Sequence, residues 1–309
     1  MTETLAALLF AHALADFVLQ PGWMARGKGA PHVLLAHVAI VAATAWAATG
    51  FAPGPAILVL AALHLATDAL KVWVLGDRLA GYLADQALHL ATIIGIALWQ
   101  PGLYAAGVWA QGLAPLPAPA LDLLPQAMAF AAGAIVATLA GGHAIGKLLA
   151  PFLAARPSLT EDSLDDAGRI IGLLERGVAY FLVVVGQPAG VGFLIAAKSV
   201  LRFTAAKDDR RVSEYVIIGT LASMGWALAA GYGALALAYT VEIDPENAVN
   251  ITMTLTAPGC PVAGEMPGWV ADAVNSVAGV KQVDVEMTFD PPWGMDMMSE
   301  EARLELGFL

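Results

Sequence analysis

Apolar residues in this chain run in long, nearly unbroken blocks as far as residue 237 and then change to short alternating ones. Crossing about 30 Å of hydrocarbon takes about 20 helical residues, and runs near that length fall at 3–20, 31–51, 54–75, 82–100, 122–150, 167–186, 189–205 and 212–237. The pattern predicts about eight transmembrane helices. The sixth and seventh meet at Gln187-Pro188 and carry Glu175, Arg176, Lys198 and Arg202, so a re-entrant hairpin also fits them. From Tyr239 the period becomes two: 240–243 and 249–255 flank Asp244-Pro-Glu-Asn and predict a hairpin. Helical spacing follows over 265–277, alternation over 281–289, and Ser299 opens a short final helix as its cap. The expected fold is an all-α polytopic membrane bundle over 1–237, followed by a small α+β domain of order ββαβα over 239–309.

Composition sharpens this division. The 309 residues are 59% hydrophobic and 13% charged, with mean hydropathy +0.70, which excludes an ordinary soluble enzyme. The net charge of −11 is uneven: residues 1–238 hold 14 acidic and 13 basic residues, whereas 239–309 hold 12 acidic residues against Lys281 and Arg303. Neither part offers a basic patch for phosphates, so nucleic acid is not an expected partner and the lipid bilayer is. Cys260 is the single cysteine, which rules out an intrachain disulfide or an all-cysteine metal site. The first run has Glu3 and no Lys or Arg ahead of it, unlike a signal peptide, and reads as a retained helix. Connections after odd-numbered helices carry or adjoin the basic residues, while those after even helices carry none. The positive-inside rule then places the odd loops in the cytoplasm and the N-terminus and tail on the trans side. The Pro-rich stretch 101–119 fits a trans loop, with Trp99, Tyr104 and Trp109 suited to the interface.

Three helices present the same pair at i, i+4, a spacing that puts both side chains on one face: His12 with Asp16, His64 with Asp68, and, in reversed order, Asp85 with His89. At about 1.5 Å per residue from the cytoplasmic ends, the three Asp fall roughly 4–11 Å deep and the three His roughly 10–17 Å deep. Reversal in the fourth helix is what its opposite direction requires. His37 lands at about 9 Å, while Gln20, Lys71 and Gln86 flank the layer. Ionisable groups in hydrocarbon cost about 2.5–3.5 kcal/mol each, so a matched layer of them needs a common cause. It is either a polar site, holding a divalent metal on His12, Asp16, His64, Asp68, Asp85 and His89 or relaying protons or ions, or packing glue between helices. No HExxH-type motif selects among these.

A second cluster joins Gly168-Arg-Ile-Ile-Gly-Leu-Leu-Glu-Arg176 to Lys198, Arg202 and Glu214. Glu175 or Glu214 can neutralise the cations, the cations can snorkel to the boundary, or the group can take an anionic substrate or lipid headgroup. In the tail, Cys260 stands between a predicted strand and a predicted helix, where helix-terminal amides favour a thiolate; a small buried turn thiol is the plain alternative.

His12-Ala-Leu-Ala-Asp-Phe-Val-Leu-Gln20, His64-Leu-Ala-Thr-Asp-Ala-Leu-Lys71 and Asp85-Gln-Ala-Leu-His89 resemble a bacterial membrane family, domain of unknown function 3307. Gly168–Arg176 and Ser213-Glu-Tyr-Val-Ile-Ile-Gly-Thr220 look like its longer members, extending the resemblance over most of 1–235. It implies a multi-pass protein of the bacterial cytoplasmic (inner) membrane. The His–Asp pairs are also similar, more loosely, to metal-dependent membrane hydrolases, and an ion-coupled transporter is a further reading. Thr254-Leu-Thr-Ala-Pro-Gly-Cys-Pro-Val-Ala-Gly264, Phe289-Asp-Pro-Pro-Trp293 and Met298-Ser-Glu-Glu-Ala-Arg-Leu-Glu-Leu-Gly307 resemble the C-terminal part of a SufT or PaaD-like iron–sulfur assembly domain. This implies that Cys260 is the reactive residue and that iron–sulfur assembly proteins are partners. The family's N-terminal helix and acidic entry region are missing, and that chemistry is cytosolic whereas the charge bias puts the tail outside. A joining of unrelated pieces near Leu235 to Tyr239 accounts for the charge shift, the truncation and the side together.

Overall fold

The computed structural model describes residues 1–115, 117–154, 167–203, 210–238, 248–253, 263–277, 280 and 282–288. The chain divides into two compact units, Met1–Thr240 and Val241–Leu309.

The first unit is helical. Its helices are α1 (Thr2–Phe17), α2 (Gly22–Gly27), α3 (Pro31–Ala48), α4 (Ala56–Leu70), α5 (Leu79–Trp99), α6 (Ala118–Asp122), α7 (Leu124–Ile135), α8 (Gly141–Ala154), α9 (Ala167–Val184), α10 (Gly190–Phe203) and α11 (Arg210–Ala238). A π-helical turn, Lys71–Leu75, extends α4, and another, Val136–Ala140, joins α7 to α8. Each expected apolar run is helical. Among the described residues, five helices are long and apolar enough to cross a membrane: Pro31–Ala48, Ala56–Leu75, Leu79–Trp99, Leu124–Ala154 and Glu214–Ala238.

Packing in this unit relies on small side chains. Ala7, Ala11, Ala45, Ala48, Ala52 and Ala56 bring α1, α3 and α4 together around Leu8, Leu60 and Ile93, the close backbone approach by which helices associate when no hydrophobic effect separates them from their surroundings. Large apolar side chains such as Leu58, Trp73, Leu98, Phe181 and Phe193 face outward, while His37, His64, Asp68, Asp85, His89 and Arg176 face inward. Hydrocarbon rather than water matches such an exterior. The segment after α5 is irregular, as expected of a loop, and is packed down rather than free. Tyr104 is buried, its amide donates to Thr4 Oγ1 at 3.1 Å, and Trp109 Nε1 donates to Ala47 O at 2.7 Å. The stretch is thus fastened to α1 and α3.

In the second unit, β1 (Ala248–Met253) pairs in parallel with β2 (Gln282–Met287), from Ala248 opposite Gln282 to Met253 opposite Met287, and α12 (Met266–Asn275) makes the crossover. Alternate residues of β2 are exposed and partly buried, as its period of two predicts. This βαβ order is the centre of the expected ββαβα. The strand expected at 240–243, Cys260 and the helix after Ser299 lie outside the described residues.

Candidate functional site

The i, i+4 spacing works as the sequence indicates, because four neighbouring helices turn their polar faces to one another. His12 and Asp16 come from α1, His37 from α3, His64 and Asp68 from α4, and Asp85 and His89 from α5. The rings converge: centroids lie 5.0 Å apart for His12 and His89, 5.9 Å for His12 and His64, 5.3 Å for His37 and His64, and 4.1 Å for the stacked pair His64 and His89. Of the six histidines, these four converge; His32 is exposed near the start of α3 and His143 lies against Phe17.

The tightest set is Asp16, His37 and His64. His37 Nε2 is 3.2 Å from His64 Nε2 and 3.4 Å from Asp16 Oδ1, and His64 Nε2 is 3.6 Å from the same oxygen. Asp68 Oδ2 stands 3.6 and 3.5 Å from the two imidazole nitrogens. Asp68 Oδ1 is 3.9 Å from His89 Nε2, which is 3.4 Å from Asp85 Oδ1. Gln86 closes the remaining side, donating to Asp85 Oδ2 at 3.1 Å, with its Oε1 3.4 Å from His12 Nε2. In three triads, His12–His64–His89, Asp16–His37–His64 and Asp68–Asp85–His89, the ligand atoms lie within 4.8 Å of one another.

Two features point beyond packing. Asp16 Oδ1, Asp85 Oδ1 and His89 Nε2 are buried and form no well-aligned hydrogen bond among the described residues, although His37 Nε2 stands 3.4 Å from the first and the other two stand 3.4 Å from each other; buried polar atoms are nearly always satisfied. With neutral imidazoles, moreover, the cluster sets three carboxylates against one contacting ammonium, Lys28, whose Nζ lies 2.8 Å from both oxygens of Asp68. The excess of two negative charges equals the charge of one divalent cation. In the sequence Lys28 is one of the basic residues of the first odd-numbered connection, with nothing local to tie it to the cluster. The signal that finds it is Asp68 itself, since a carboxylate at this depth requires a cation. Lys71 and Gln20 stay at the margin: Lys71 Nζ lies 5.6 Å from the Tyr82 ring centre, and neither Lys71 Nζ nor Gln20 Nε2 has a hydrogen-bond partner among the described residues.

Two cavities adjoin the cluster. A void of about 10 Å³ touches His12, His64 and His89, near the threshold for one water. A larger cavity of about 380 Å³ begins at His12 and Gln86 and continues between Leu9, Leu90, Ala132 and Leu237.

The second cluster is partly as expected. Lys198 pairs with Glu175 at 2.5 Å. Arg176 takes no carboxylate; it donates to Thr138 O through Nη2 at 2.9 Å and Nε at 3.3 Å, and to Ser223 Oγ through Nη1 at 3.3 Å. Glu214 lies on α11, and the side chain of Arg202 lies outside the described residues.

The architecture therefore pairs a helical bundle around an inward polar cluster with a βαβ unit. Residues 4–108 match the family described as protein of unknown function (DUF3307), a span that includes all seven His and Asp residues of the cluster. Residues 230–286 match the family described as iron–sulfur cluster assembly protein, beginning inside α11. Among curated relatives, an Fe-S protein maturation auxiliary factor of Porphyromonas gingivalis is 53% identical over 75 residues, covering 24% of this chain and 71% of the relative. YitW of Bacillus subtilis, of the same description, is 40% identical over 73 residues, 24% of this chain and 72% of the relative. SufT of Staphylococcus aureus is 34% identical over 73 residues, 24% of this chain and 83% of the relative. Through this C-terminal segment the chain belongs to the iron–sulfur cluster assembly protein family. No solved structure matches the chain.

Proposed function

We propose that the chain is a multi-pass protein of the bacterial cytoplasmic membrane whose first helices hold a divalent transition metal and use it for hydrolysis of an apolar substrate. The observation that carries this is the Asp16–His37–His64 triangle, with edges of 3.2, 3.4 and 3.6 Å. Tetrahedral zinc with ligands at about 2.0–2.2 Å has ligand-to-ligand edges of roughly 3.3–3.6 Å. Three protein ligands with a fourth position open is the arrangement of catalytic zinc sites, and a metal so held supplies an activated water. Asp68 Oδ2, on the carboxylate anchored by Lys28, stands 3.6 and 3.5 Å from His37 Nε2 and His64 Nε2, so it would be the next oxygen beside a metal held there. His12 faces both the cluster and the larger cavity, where its ring is placed to move a proton between them. That cavity favours hydrolysis over transport, because it gives an apolar substrate a place beside the cluster.

Metal analysis of the purified full-length protein tests this. Stoichiometric zinc or a similar ion is expected in the parent and its loss in Asp16→Ala and His37→Ala. A metal-free parent that gains no stability from added zinc, cobalt or manganese sinks the proposal in favour of a proton relay or packing.

A second reading concerns the tail, and the identity to maturation factors favours it: residues 239–309 assist iron–sulfur protein maturation through Cys260. In a strain lacking its own SufT-type factor, the full chain then restores iron–sulfur enzyme activity and Cys260→Ser does not. Equal rescue by both variants, or rescue by neither, removes this role from Cys260.

A further inference from the structure

Three carbonyls of the π turn Val136–Ala140 accept from side chains of three helices: Val136 O from Trp226 Nε1 at 2.8 Å, Thr138 O from Arg176, and Ala140 O from Tyr82 Oη at 3.1 Å. Trp226 and Tyr82 are neutral, but Arg176 brings a full charge into the bundle at 4% exposure. Its hydrogen bonds among the described residues use three of its five N–H groups, all on neutral oxygens. One N–H on each terminal nitrogen is left to donate among the described residues.

Space is kept around those nitrogens. A Cβ at Gly172 would stand 3.0 Å from Nη1, and one at Gly142 3.1 Å from Nη2, so glycine at both positions spares the guanidinium from crowding. Beside it lies a cavity of about 120 Å³ bounded by Lys198, Tyr215, Thr220 and Ser223. The ionic residues lining it are Arg176, Lys198 and Glu175, which sum to one positive charge. An uncompensated buried charge is expensive, and among the described residues this positive charge has no counter-charge in the cavity, whose volume suits an anion smaller than the 300–1,000 Å³ typical of pocket ligands.

We propose that this cavity binds one phosphoryl group, either as free phosphate or as the headgroup of an anionic lipid. Three neighbouring hydroxyls, an ammonium and a two-pronged guanidinium form the donor set that a tetrahedral oxyanion accepts from. The site is independent of the His–Asp cluster: its charged residues come from α9 and α10, outside the helices that carry the histidines.

Purified full-length protein in neutral detergent is titrated with inorganic phosphate, with phosphatidylglycerol and with uncharged diacylglycerol in mixed micelles, reading the thermal midpoint at each dose. Stabilisation by phosphate assigns the free anion; stabilisation by phosphatidylglycerol alone assigns the lipid. Arg176→Gln abolishes the effect but also removes the bonds to Thr138 and Ser223, so the charge partners supply the cleaner test. Lys198→Gln is expected to weaken binding roughly tenfold and Glu175→Gln to strengthen it by a similar factor, because one charge is removed from each side of the balance. Opposite shifts cannot come from misfolding. If no titrant stabilises the parent, if diacylglycerol does so equally, or if the two variants move together, the site is overturned and Arg176 is a fastening for the π turn alone.

Discussion

Asp68 meets Lys28 through both oxygens while its neighbours reach toward the imidazoles, so one side chain joins the ion pair to the proposed ligand set. Lys28→Met is expected to cost about 3–5 kcal/mol in metal-free protein, the price of stranding a buried carboxylate. The cost should fall when zinc is added, since the cation replaces the lost ammonium, and Lys28→Arg should behave nearly as the parent does. Thermal midpoints in chelator and in zinc make the comparison; an equal loss in both would separate Lys28 from the metal. The His–Asp pairs were legible because one helix face is dictated by spacing alone. Lys28 was not, because its choice of Asp68 depends on α2 packing against α3 and so carrying its C-terminal end to α4, a tertiary event with no periodic trace. Tyr104 was misplaced for the same reason: an aromatic ring near a helix end reads as interfacial until Thr4 is seen beneath its amide.

At the level of elements, the helical runs were legible from length and apolarity, and β1, α12 and β2 from the change of period. The π turns were not. Val136-Ala-Thr-Leu-Ala140 reads as any apolar stretch, and its irregularity appears only through the donors that satisfy it. Deleting Ala137 is expected to convert the turn to regular α-helix and lose the Trp226, Arg176 and Tyr82 bonds together, costing roughly 2–4 kcal/mol if each bond contributes about 0.5–1.5 kcal/mol. Trp226→Phe removes only one and should cost about 0.6–1.7 kcal/mol. Denaturation midpoints decide between them, and a deletion no worse than the point variant would make the π turn incidental.

For the whole molecule, the side on which the tail emerges depends on how many helices cross. Helices α1 and α10, of 16 and 14 residues, reach about 24 and 21 Å at 1.5 Å per residue, short of a full hydrocarbon core, while five others are long and apolar enough. The basic residues follow odd connections, which favours eight crossings, or six with a re-entrant pair, and a trans tail. A membrane-impermeant maleimide should then label Cys260 in intact spheroplasts, with labelling after denaturation as the control for a buried thiol. Reaction only after the membrane is broken would remove one crossing and return the tail to the compartment in which iron–sulfur chemistry proceeds. The count of crossings was the least legible feature, because charged residues such as Glu175 and Arg176 lower the apolarity of α9 while pairing inside the bundle.

The parallel strands have a consequence for the order of synthesis. Ala248 must wait for Gln282, 34 positions later, and such a pair cannot close through a local turn. The ribosome has by then delivered every helix of the bundle, so this unit folds after the bundle has been made. Until Gln282 is made, Val249, Ile251 and Met253 sit on a strand with no partner on that edge, a template for another nascent chain. Translation products arrested between β1 and β2 should therefore be cleaved and should associate more readily than either the finished protein or one arrested before Ala248.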